Sequence, residues 1–347
     1  MDVIDLCERG LIPDPLTRYG MRKLMERRLL DEGSVDGEER SRRFNTFLAE
    51  LKAAPIAIET KAANEQHYEV PAAFFHKHLG PQLKYSCCLY PTGNETLGEA
   101  EEHMLRLYAE RAGLKDGMRI LDVGCGWGSL STWLAKQYPN SQIVGLSNSN
   151  GQREFIQNRA RDRGLNNLSI YTGNIVTFEF TPEQLGEGFD RVMSIEMFEH
   201  MKNYGLLLEK ISRWMKADAK LFVHIFVHKL LAYHFEDKEQ EDWMSRYFFT
   251  GGTMPSENLL LHFQDHVKIE TQWWVDGRHY EKTSNHWLAG LDANRAECME
   301  ILKKGYGEKE AVLWFNRWRM FYLAVAEFFG YAEGNEWGVG HYLFSKR

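Results

Sequence analysis

Between residues 119 and 128 the chain reads Arg119-Ile-Leu-Asp-Val-Gly-Cys-Gly-Trp-Gly128, an apolar run that ends in glycines at alternate positions. Such a run predicts a buried strand that breaks into a tight turn. The glycines remove side chains where a ligand must approach the backbone, and the helix predicted from Ser129 points its free N–H groups at the same place. We therefore expect a nucleotide-sized binding site at this turn.

The segments after the turn alternate between strand and helix patterns. Strands are predicted at 142–147, 168–174, 189–195 and 220–228, with helices between them over 129–138, 150–163 and 204–216. Five strands separated by helices indicate an α/β protein with a doubly wound, parallel sheet. A ligand of such a sheet binds beyond the carboxyl ends of the strands, where the strand order reverses, and the glycine turn lies at that edge.

The chain past residue 230 is rich in aromatic residues and no longer alternates. Helices are predicted near 283–304 and 308–329, and strands at 267–280 and 337–344. We expect the two strands to complete a mainly parallel, seven-stranded sheet as antiparallel edge strands, and the helices to form an aromatic pocket wall. The predicted regions are a helical N-terminal cap and lid over 1–95, a cofactor-binding α/β core over 96–230, and substrate-pocket helices with closing strands over 231–347.

Composition and charge restrict the partners. The 347 residues are 44% hydrophobic and 26% charged, with a net charge of −7. This balance is ordinary for a globular protein and argues against a nucleic-acid partner, whose phosphates need a basic surface. The strongest basic run, Arg18 to Arg28, alternates with apolar residues at helical spacing. It could seat on an anionic membrane, but an amphipathic helix packed on the protein is the commoner cause of such a pattern, so we do not expect membrane contact.

Five cysteines at positions 7, 87, 88, 125 and 298 form neither an even framework nor paired C-x-x-C motifs. We expect free thiols in a reducing compartment and no zinc site. The N-terminus lacks the apolar segment of a signal peptide, and no apolar run reaches the roughly 18 residues of a membrane span. The protein is therefore expected in the cytoplasm.

The residues at the strand ends indicate which ligand the turn holds. A dinucleotide fold usually carries an acid after its second strand, whereas this chain has Ser147-Asn-Ser-Asn-Gly-Gln152, whose neutral groups can bond ribose hydroxyls. Asn174 and Ile175 suit the edge and the face of an adenine. The carboxylate of Asp122 could hold a cationic amino group. An adenosine with an amino-acid tail fits better than a dinucleotide.

Five blocks of sequence resemble one enzyme family. They are Asn64-Glu-Gln-His-Tyr-Glu-Val-Pro71, Lys84-Tyr-Ser-Cys-Cys88, Leu121-Asp-Val-Gly-Cys-Gly-Trp-Gly128, Ser147-Asn-Ser149 with Gln152, and Ser194-Ile-Glu-Met-Phe-Glu-His-Met-Lys-Asn203. Together they are similar to the S-adenosylmethionine-dependent methyltransferases of the cyclopropane-fatty-acid-synthase superfamily, and more narrowly to its coclaurine N-methyltransferase branch, which methylates benzylisoquinoline alkaloids. The resemblance implies the class I, Rossmann-like methyltransferase fold, with S-adenosylmethionine as cofactor and S-adenosylhomocysteine as product.

The resemblance also implies the cofactor contacts. From the methionine end to the adenine they are Tyr85, Ser86, Gly124, Gly126, Asn148, Gln152, Asn174 and Ile175. Asp122, Ser147 and Ile195 complete the predicted cofactor site. Asn174 departs from the family pattern, which usually has aspartate there, so a hydrogen bond to the adenine amine lacks charge assistance. Arg317 stands where the alkaloid enzymes have a tyrosine lining the substrate pocket, which predicts a different natural amine.

The chemistry of methyl transfer suggests the catalytic residues. An aliphatic amine is mostly ammonium at neutral pH, so it needs an anionic site and a base that removes its proton. Glu196, Glu199 and His200 follow the fourth strand, at the edge where the transferred methyl should point. We predict that Glu199 anchors the amine and His200 acts as general base, with Glu196 and Glu69 in support.

Other histidines and aromatic residues leave alternatives open. The H-E-x-x-H spacing of zinc helices is absent, and no metal is expected. His224 and His228 lie in a predicted strand, where core or edge positions are the commoner roles. The aromatic stripe Trp318, Phe321, Tyr322 and Phe328 is typical of a helix core, but an aromatic wall would also suit a sulfonium or a flat substrate. We predict substrate contacts for Tyr68, Trp318 and Phe321.

Three functions remain open. The first is N-methylation of a small cyclic or aromatic secondary amine, such as a tetrahydroisoquinoline. The second is cyclopropanation or methylation of unsaturated fatty-acyl lipids, as in the wider superfamily. An alkene has no proton to lose, so the acidic and imidazole groups favour the amine. The third is binding of the cofactor without catalysis. A homodimer is compatible with all three.

Overall fold

The sheet has seven strands in the order β3-β2-β1-β4-β5-β9-β8. The computed structural model describes residues 3–33, 35–58, 71–237 and 242–347. The strands are β1 (Arg119–Val123), β2 (Gln142–Ser147), β3 (Leu168–Thr172), β4 (Phe189–Ile195), β5 (Met215–His228), β8 (Val267–Val275) and β9 (Trp337–Lys346), and a separate two-stranded ribbon joins β6 (Tyr233–His234) to β7 (Thr253–Met254). Strands β1 to β5 are parallel, while β9 runs antiparallel to both β5 and β8. This arrangement confirms the predicted fold class.

Strand order reverses between β1 and β4, and this reversal positions the site. The two strands are parallel neighbours, with Val123 opposite Ser194. Because their carboxyl ends meet at one edge, the glycine turn that follows β1 emerges beside the Glu196–His200 segment that follows β4. The reversal of strand order therefore lies at the glycine turn, as the sequence predicts.

The helices cover both faces of the sheet. They are α1 (Val3–Glu8), α2 (Asp14–Gly33), α3 (Gly37–Ala53), α4 (Ala72–Phe75), α5 (Leu97–Arg111), α6 (Ser129–Gln137), α7 (Asn150–Asp162), α8 (Pro182–Leu185), α9 (Tyr204–Trp214), α10 (Trp243–Tyr247), α11 (Gly277–Ala293), α12 (Arg295–Tyr306) and α13 (Glu308–Gly330). Alternate residues of the strands point into two separate apolar clusters. Ile120 belongs to one cluster with Trp133 and Trp287, whereas Leu121 belongs to the other with Val223. This period of two is what a sheet covered on both faces requires.

Several predicted boundaries were wrong, each for a local reason. The strand predicted over 267–280 ends at Val275, because the carboxylate of Asp276 accepts the Arg278 N–H (2.8 Å) and caps helix α11. The helix predicted over 283–304 is split into α11 and α12 at Asn294, whose amide donates to the carbonyls of Lys77 and Gly290. Strand β5 begins at Met215 rather than 220, since an irregular register between Phe189 and Arg191 lets β4 pair with this earlier segment.

The N-terminal helices pack on different parts of the molecule. Helix α2 contacts α13, and α3 contacts α9. The basic residues of α2 are paired: Arg18 and Arg22 with Glu327, and Arg28 with Glu32 and Asp242. These pairs favour the packed amphipathic helix over the membrane interpretation. Within the described ranges, no helix is both long and apolar enough to cross a bilayer. Whether residues 1–95 act as a lid stays a prediction.

Candidate active site

Two cavities flank the glycine turn at the carboxyl edge of the sheet, and the walls of both include Gly124, Gly126 and His200. The other predicted residues on the wall of the first cavity are Tyr85, Ser86, Asp122, Ile195, Glu196, Glu199 and Phe321. The other predicted residues on the wall of the second cavity are Ser147, Asn148, Gln152, Asn174 and Ile175. The turn and His200 therefore separate a space lined by acids and aromatics from one lined by amides and hydroxyls.

The three glycines of the turn meet different surroundings. All have positive φ angles: 79° at Gly124, 51° at Gly126 and 75° at Gly128. A Cβ on Gly124 would lie 2.8 Å from Met197 Cγ, and one on Gly128 would lie 2.7 Å from Ile156 Cγ1, whereas one on Gly126 would meet no atom within 4 Å. Gly124 and Gly128 thus serve packing as well as the turn, while Gly126 leaves space on the cavity side.

The second cavity has a donor suited to a ribose. Ser147 Oγ donates to Gln152 Oε1 (2.7 Å), which fixes the orientation of the amide. Gln152 Nε2 is buried and has no hydrogen-bond partner within the described part of the chain. A buried N–H without an acceptor is costly unless a ligand supplies one. Asn174 Oδ1 accepts the Val176 N–H (2.9 Å), so part of its capacity holds the turn after β3.

The first cavity holds a buried acid and a buried base beside the turn. Asp122 accepts a hydrogen bond from Ser131 Oγ (2.6 Å), and burial raises the pKa of its carboxyl to about 6. Lys84 is 2% exposed, and its ammonium donates to Ser86 Oγ and to the Cys87 carbonyl. Ser129 Oγ on the same wall is buried and unpartnered among the described residues. This end can hold a group that carries both signs of charge, such as an amino-acid tail.

The two acids after β4 differ in their partners. Glu196 has a φ of 48° and accepts three hydrogen bonds: from the Cys87 N–H (3.0 Å), from His224 Nε2 (3.0 Å) and from the Tyr280 hydroxyl (2.6 Å). Glu199 is 2% exposed, and its Oε2 has no hydrogen-bond partner in the part of the chain that the structure covers. Burial, together with the nearby charge of Glu196, raises the pKa of Glu199 well above its usual range.

His200 is held by an aromatic neighbour. Its ring stacks on Phe249 with centroids 5.7 Å apart and an interplanar angle of 5°. Phe249 belongs to the wall of the first cavity, and Thr250 to that of the second. The buried ammonium of Lys202 holds the end of this segment by donating to the Gly252 carbonyl (3.1 Å) and to Thr253 Oγ1 (2.9 Å). The imidazole thus has a fixed orientation between the two cavities.

Comparison with known proteins assigns this arrangement to a family. The family model of mycolic acid cyclopropane synthetase matches residues 57–330. The (S)-coclaurine N-methyltransferase of Thalictrum flavum subsp. glaucum is 39% identical over 100% of this chain and 96% of its own length. A crystal structure of coclaurine N-methyltransferase bound to N-methylheliamine and S-adenosylhomocysteine is 38% identical, with a TM-score of 0.94 over 99% of each chain.

The chain belongs to the coclaurine N-methyltransferase branch of the cyclopropane-fatty-acid-synthase superfamily. It is an S-adenosylmethionine-dependent N-methyltransferase. The pavine N-methyltransferase of the same Thalictrum subspecies is also similar, at 34% identity over 100% of this chain and 97% of its own length. The resemblance found in the sequence motifs is therefore confirmed for the family, the fold and the cofactor.

The features of the two cavities fit this cofactor. Gln152 Nε2 and Ser129 Oγ are donors that lack acceptors within the described ranges, and Gly126 leaves room beside the turn. All five cysteines are free of disulfides. Among the described residues there is no group of three or more histidine, cysteine or acidic side chains that could hold a metal ion.

Some predicted residues of the methyltransferase lie elsewhere. Trp318 is fully buried against Phe248 and Tyr85 and is not among the residues on the wall of the first cavity, so its predicted substrate contact stays a prediction. Arg317 is not on the wall of either cavity: it forms an ion pair with Glu8 (3.0 Å) in helix α1. Glu69 and Tyr68, with most of the motif at 64–71, lie outside the described residues.

Several residues of the site could not be predicted from the sequence. Lys84 stands inside a recognised motif, yet a lone lysine gives no sign that it is buried. His224 was interpreted as a core or edge histidine, and it is fully buried, but its hydrogen bond to Glu196 was not foreseen. Tyr280 and Trp287 line the first cavity from helix α11, far along the sequence. Only tertiary structure brings these groups to Glu196.

Proposed function

We propose that this methyltransferase acts on the nitrogen of a cyclic or aromatic secondary amine of the tetrahydroisoquinoline alkaloid class. Two relatives are named for coclaurine and pavine N-methylation, which supports the class of acceptor. The observation that carries the proposal is a buried oxygen of Glu199 on the wall of the first cavity, next to His200, that has no hydrogen-bond partner among the described residues. A cationic amine would supply the partner that this oxygen lacks.

The cofactor would be held across both cavities. We assign Ser147, Asn148 and Gln152 to its ribose and Asn174 with Ile175 to its adenine. Its amino-acid end would lie against Tyr85, Ser86 and Asp122, and Gly124, Gly126 and Ile195 would flank its sulfur. When bound, the cofactor supplies an electrophilic methyl group on a sulfonium.

Glu199 would bind the amine in its protonated, cationic form. Without a cation nearby, burial and the Glu196 charge raise the pKa of Glu199, so the proton stays on this carboxyl more readily than on an exposed one. An ammonium close by lowers that pKa again, because it stabilises the carboxylate. Amine binding and ionisation of Glu199 would therefore occur together.

His200 would remove the proton that blocks the nitrogen lone pair. An ammonium has no free lone pair, so methyl transfer has to follow loss of one N–H proton. The proton would pass to an imidazole nitrogen of His200. The freed lone pair would then be able to form the N–C bond to the methyl group that the cofactor supplies, while the methyl–sulfur bond breaks and S-adenosylhomocysteine leaves. The stacking of the ring on Phe249 fixes its orientation, which reduces the entropy lost at the transition state.

An unsaturated acyl chain would interact poorly with the wall of the first cavity. An alkene carries no charge to pair with Glu199 and no acidic proton for His200 to accept. A carboxyl left buried without a partner would then disfavour binding. The amine is therefore the better acceptor.

We also propose that the enzyme is located in the cytoplasm, and its free cysteines agree with a reducing compartment.

The test is a panel of acceptors with methyl-labelled cofactor. Cyclic secondary amines should be methylated, and unsaturated phospholipid vesicles should not. Glu199→Gln and His200→Asn should lose about 100-fold or more in kcat/KM while still binding S-adenosylhomocysteine by calorimetry. Glu209→Gln, which alters an exposed ion-pair residue of helix α9, is the matched control.

Three outcomes contradict the proposal. Methylation of the lipid alone would reassign the acceptor to the alternative considered for the superfamily. Full turnover by both site variants would remove Glu199 and His200 from the chemistry. Cofactor binding without turnover on any acceptor of the panel would indicate a binder rather than an enzyme for these amines.

A further inference from the structure

A row of buried hydrogen bonds leads from Glu196 away from the cavity to the end of helix α5. His224 Nε2 is 3.0 Å from Glu196 Oε1, and His224 Nδ1 is 2.8 Å from His341 Nε2. His341 Nδ1 is in turn 2.6 Å from an Nη atom of Arg111, the last residue of α5. His224 and His341 are paired across β5 and β9, and both are 0% exposed.

The direction of every bond in this row follows from Arg111. A guanidinium has five donors and no acceptor. His341 Nδ1 must therefore accept, which leaves the proton of that neutral ring on Nε2. This Nε2–H donates to His224 Nδ1, so the proton of His224 lies on its own Nε2 and points at Glu196. The Tyr108 hydroxyl, 3.0 Å from His224 Nδ1, is compatible with the same tautomer.

The row cannot be an exit path for protons. A proton that moved outward from Glu196 would have to reach Arg111, which has no lone pair to receive it. The row instead opposes protonation of Glu196. A protonated Glu196 that donates to His224 would reverse both imidazoles and turn the His341 Nδ1–H against the guanidinium.

Other charges act on the same carboxylate. The titratable or charged groups that face Glu196 and the two imidazoles are Lys84, Cys87, Tyr108, Arg111, Glu199 and Tyr280. Lys84, Tyr280 and the Cys87 N–H lower the pKa of Glu196, but burial outweighs them and raises it.

We propose that Arg111 and His341 are positioning residues for methyl transfer, which fix the tautomer of His224 and so keep Glu196 as a carboxylate beside Glu199. This role rests on the proposed function. Arg111 does not touch the cavity, and its guanidinium packs over the Trp273 ring (4.8 Å) on the outer side of the sheet. The negative charge of Glu196, beside the proposed amine anchor Glu199, would thus be maintained by residues outside the site.

The kinetic test uses the full-length enzyme and its best amine. Arg111→Met keeps an apolar stem on Trp273 but loses the donor, Arg111→Lys keeps a charged donor, and Arg106→Met alters an exposed ion pair on the same helix. We expect the acid limb of kcat/KM to move up by about one pH unit in Arg111→Met, to return partly in Arg111→Lys, and to stay in place in Arg106→Met. The affinity for S-adenosylhomocysteine should not change. An equal loss of activity at every pH, or an unshifted profile in Arg111→Met, would overturn the positioning role.

A spectroscopic test does not depend on activity. Nitrogen-15 NMR of histidine-labelled enzyme, with signals assigned from His224→Asn and His341→Asn, reports which ring nitrogen is protonated. Both residues should be Nε2–H tautomers between pH 6 and pH 9. A proton on Nδ1 of either ring would refute the inference. The predicted tautomers without methylation of any amine would leave the tautomer assignment intact but would remove the proposed function, and with it the role of Arg111 and His341 in methyl transfer.

Discussion

At the scale of single residues, hydrogen-bond partners distinguish the two acids after β4. Glu196 accepts from a backbone N–H, an imidazole and a phenol, so each of its oxygens has a partner within the protein. Glu199 keeps one oxygen without a partner among the described residues. A buried acceptor that the protein leaves unsatisfied is a site for a ligand rather than for stability.

Replacing each acid by its amide should therefore have opposite effects. Glu199→Gln should leave the melting temperature unchanged or slightly raised, because it removes a carboxyl whose pKa burial has raised, but should lower kcat/KM about 100-fold. Glu196→Gln should lower the melting temperature, because an amide NH₂ would face groups that donate. Thermal unfolding and steady-state kinetics measure the two effects. A stable Glu196→Gln would show that the three bonds matter little.

Asp122 predicts how cofactor affinity depends on pH. Its pKa is about 6 because of burial, and the cofactor's ammonium would favour the ionised form. Binding must then release a proton below pH 6, so the affinity for S-adenosylhomocysteine should fall by up to about tenfold per pH unit as the pH decreases from 6. Calorimetry between pH 5 and pH 8 measures this slope. In Asp122→Asn, binding should be weaker at pH 8 and nearly independent of pH; a wild-type affinity without a slope argues against contact with Asp122.

At the scale of elements, two glycines of the turn have different roles: Gly128 is needed for packing, and Gly126 leaves space for a ligand. Gly128→Ala would place a Cβ 2.7 Å from Ile156 at a φ of 75°, so we expect a loss of about 2 to 4 kcal/mol in the free energy of unfolding. Gly126→Ala would cost about 1 kcal/mol, since its Cβ meets open space, but should weaken S-adenosylhomocysteine binding at least about tenfold.

Urea unfolding and calorimetry of both variants separate the two costs. The expected pattern is a large stability loss in Gly128→Ala and a large affinity loss in Gly126→Ala. Unchanged affinity in Gly126→Ala would mean that the ligand does not approach the backbone at this glycine.

The predictable part of the fold was the part encoded locally. The alternation from β1 to β5 and the turn at Gly124–Gly128 followed from hydrophobic period and glycine spacing, so the edge that carries the site was located correctly. Boundaries failed where one polar side chain decided them, as Asp276 did at the start of α11. Capping depends on the geometry of a few atoms, which periodicity does not report.

The predictable part of the site was the part carried by motifs. The residues predicted for the cofactor lie together around the turn. The polar row behind Glu196 could not be foreseen, because His224 meets His341 only through the antiparallel register of β5 and β9. The burial of Trp318 behind the wall could not be foreseen either, because helical spacing predicts an aromatic stripe but not which neighbours cover it.

At the scale of the whole molecule, buried ion pairs join the N-terminal helices to the last long helix. Glu8 accepts from Arg317 (3.0 Å) and from Trp243 Nε1 (2.7 Å), with both charged side chains largely buried. Arg22 pairs with Glu327 from a more exposed position. Removal of one member of a buried pair leaves the other charge without compensation, whereas exposed pairs contribute little.

Glu8→Ala should therefore cost about 2 to 4 kcal/mol in the free energy of unfolding, and Arg22→Ala, the control, less than about 1 kcal/mol. Because Glu8 is absent from both cavity walls, kcat/KM of Glu8→Ala measured well below its melting temperature should be close to that of the wild type. A tenfold loss of kcat/KM in the folded variant would instead connect these helices to the site.

The position of β9 has a consequence for how the protein is made. This strand follows both β5 and β8 in the sequence but lies between them in the sheet, and it brings His341 to the row behind Glu196. When the first 330 residues have been synthesised, the sheet therefore still lacks an interior strand, and the edges of β5 and β8 are unpaired. Such contacts between distant parts of a sequence form slowly and leave edges prone to aggregation. A nascent chain that stalls before residue 337 should thus need chaperone protection, and a premature stop there should yield insoluble product rather than a weakened enzyme.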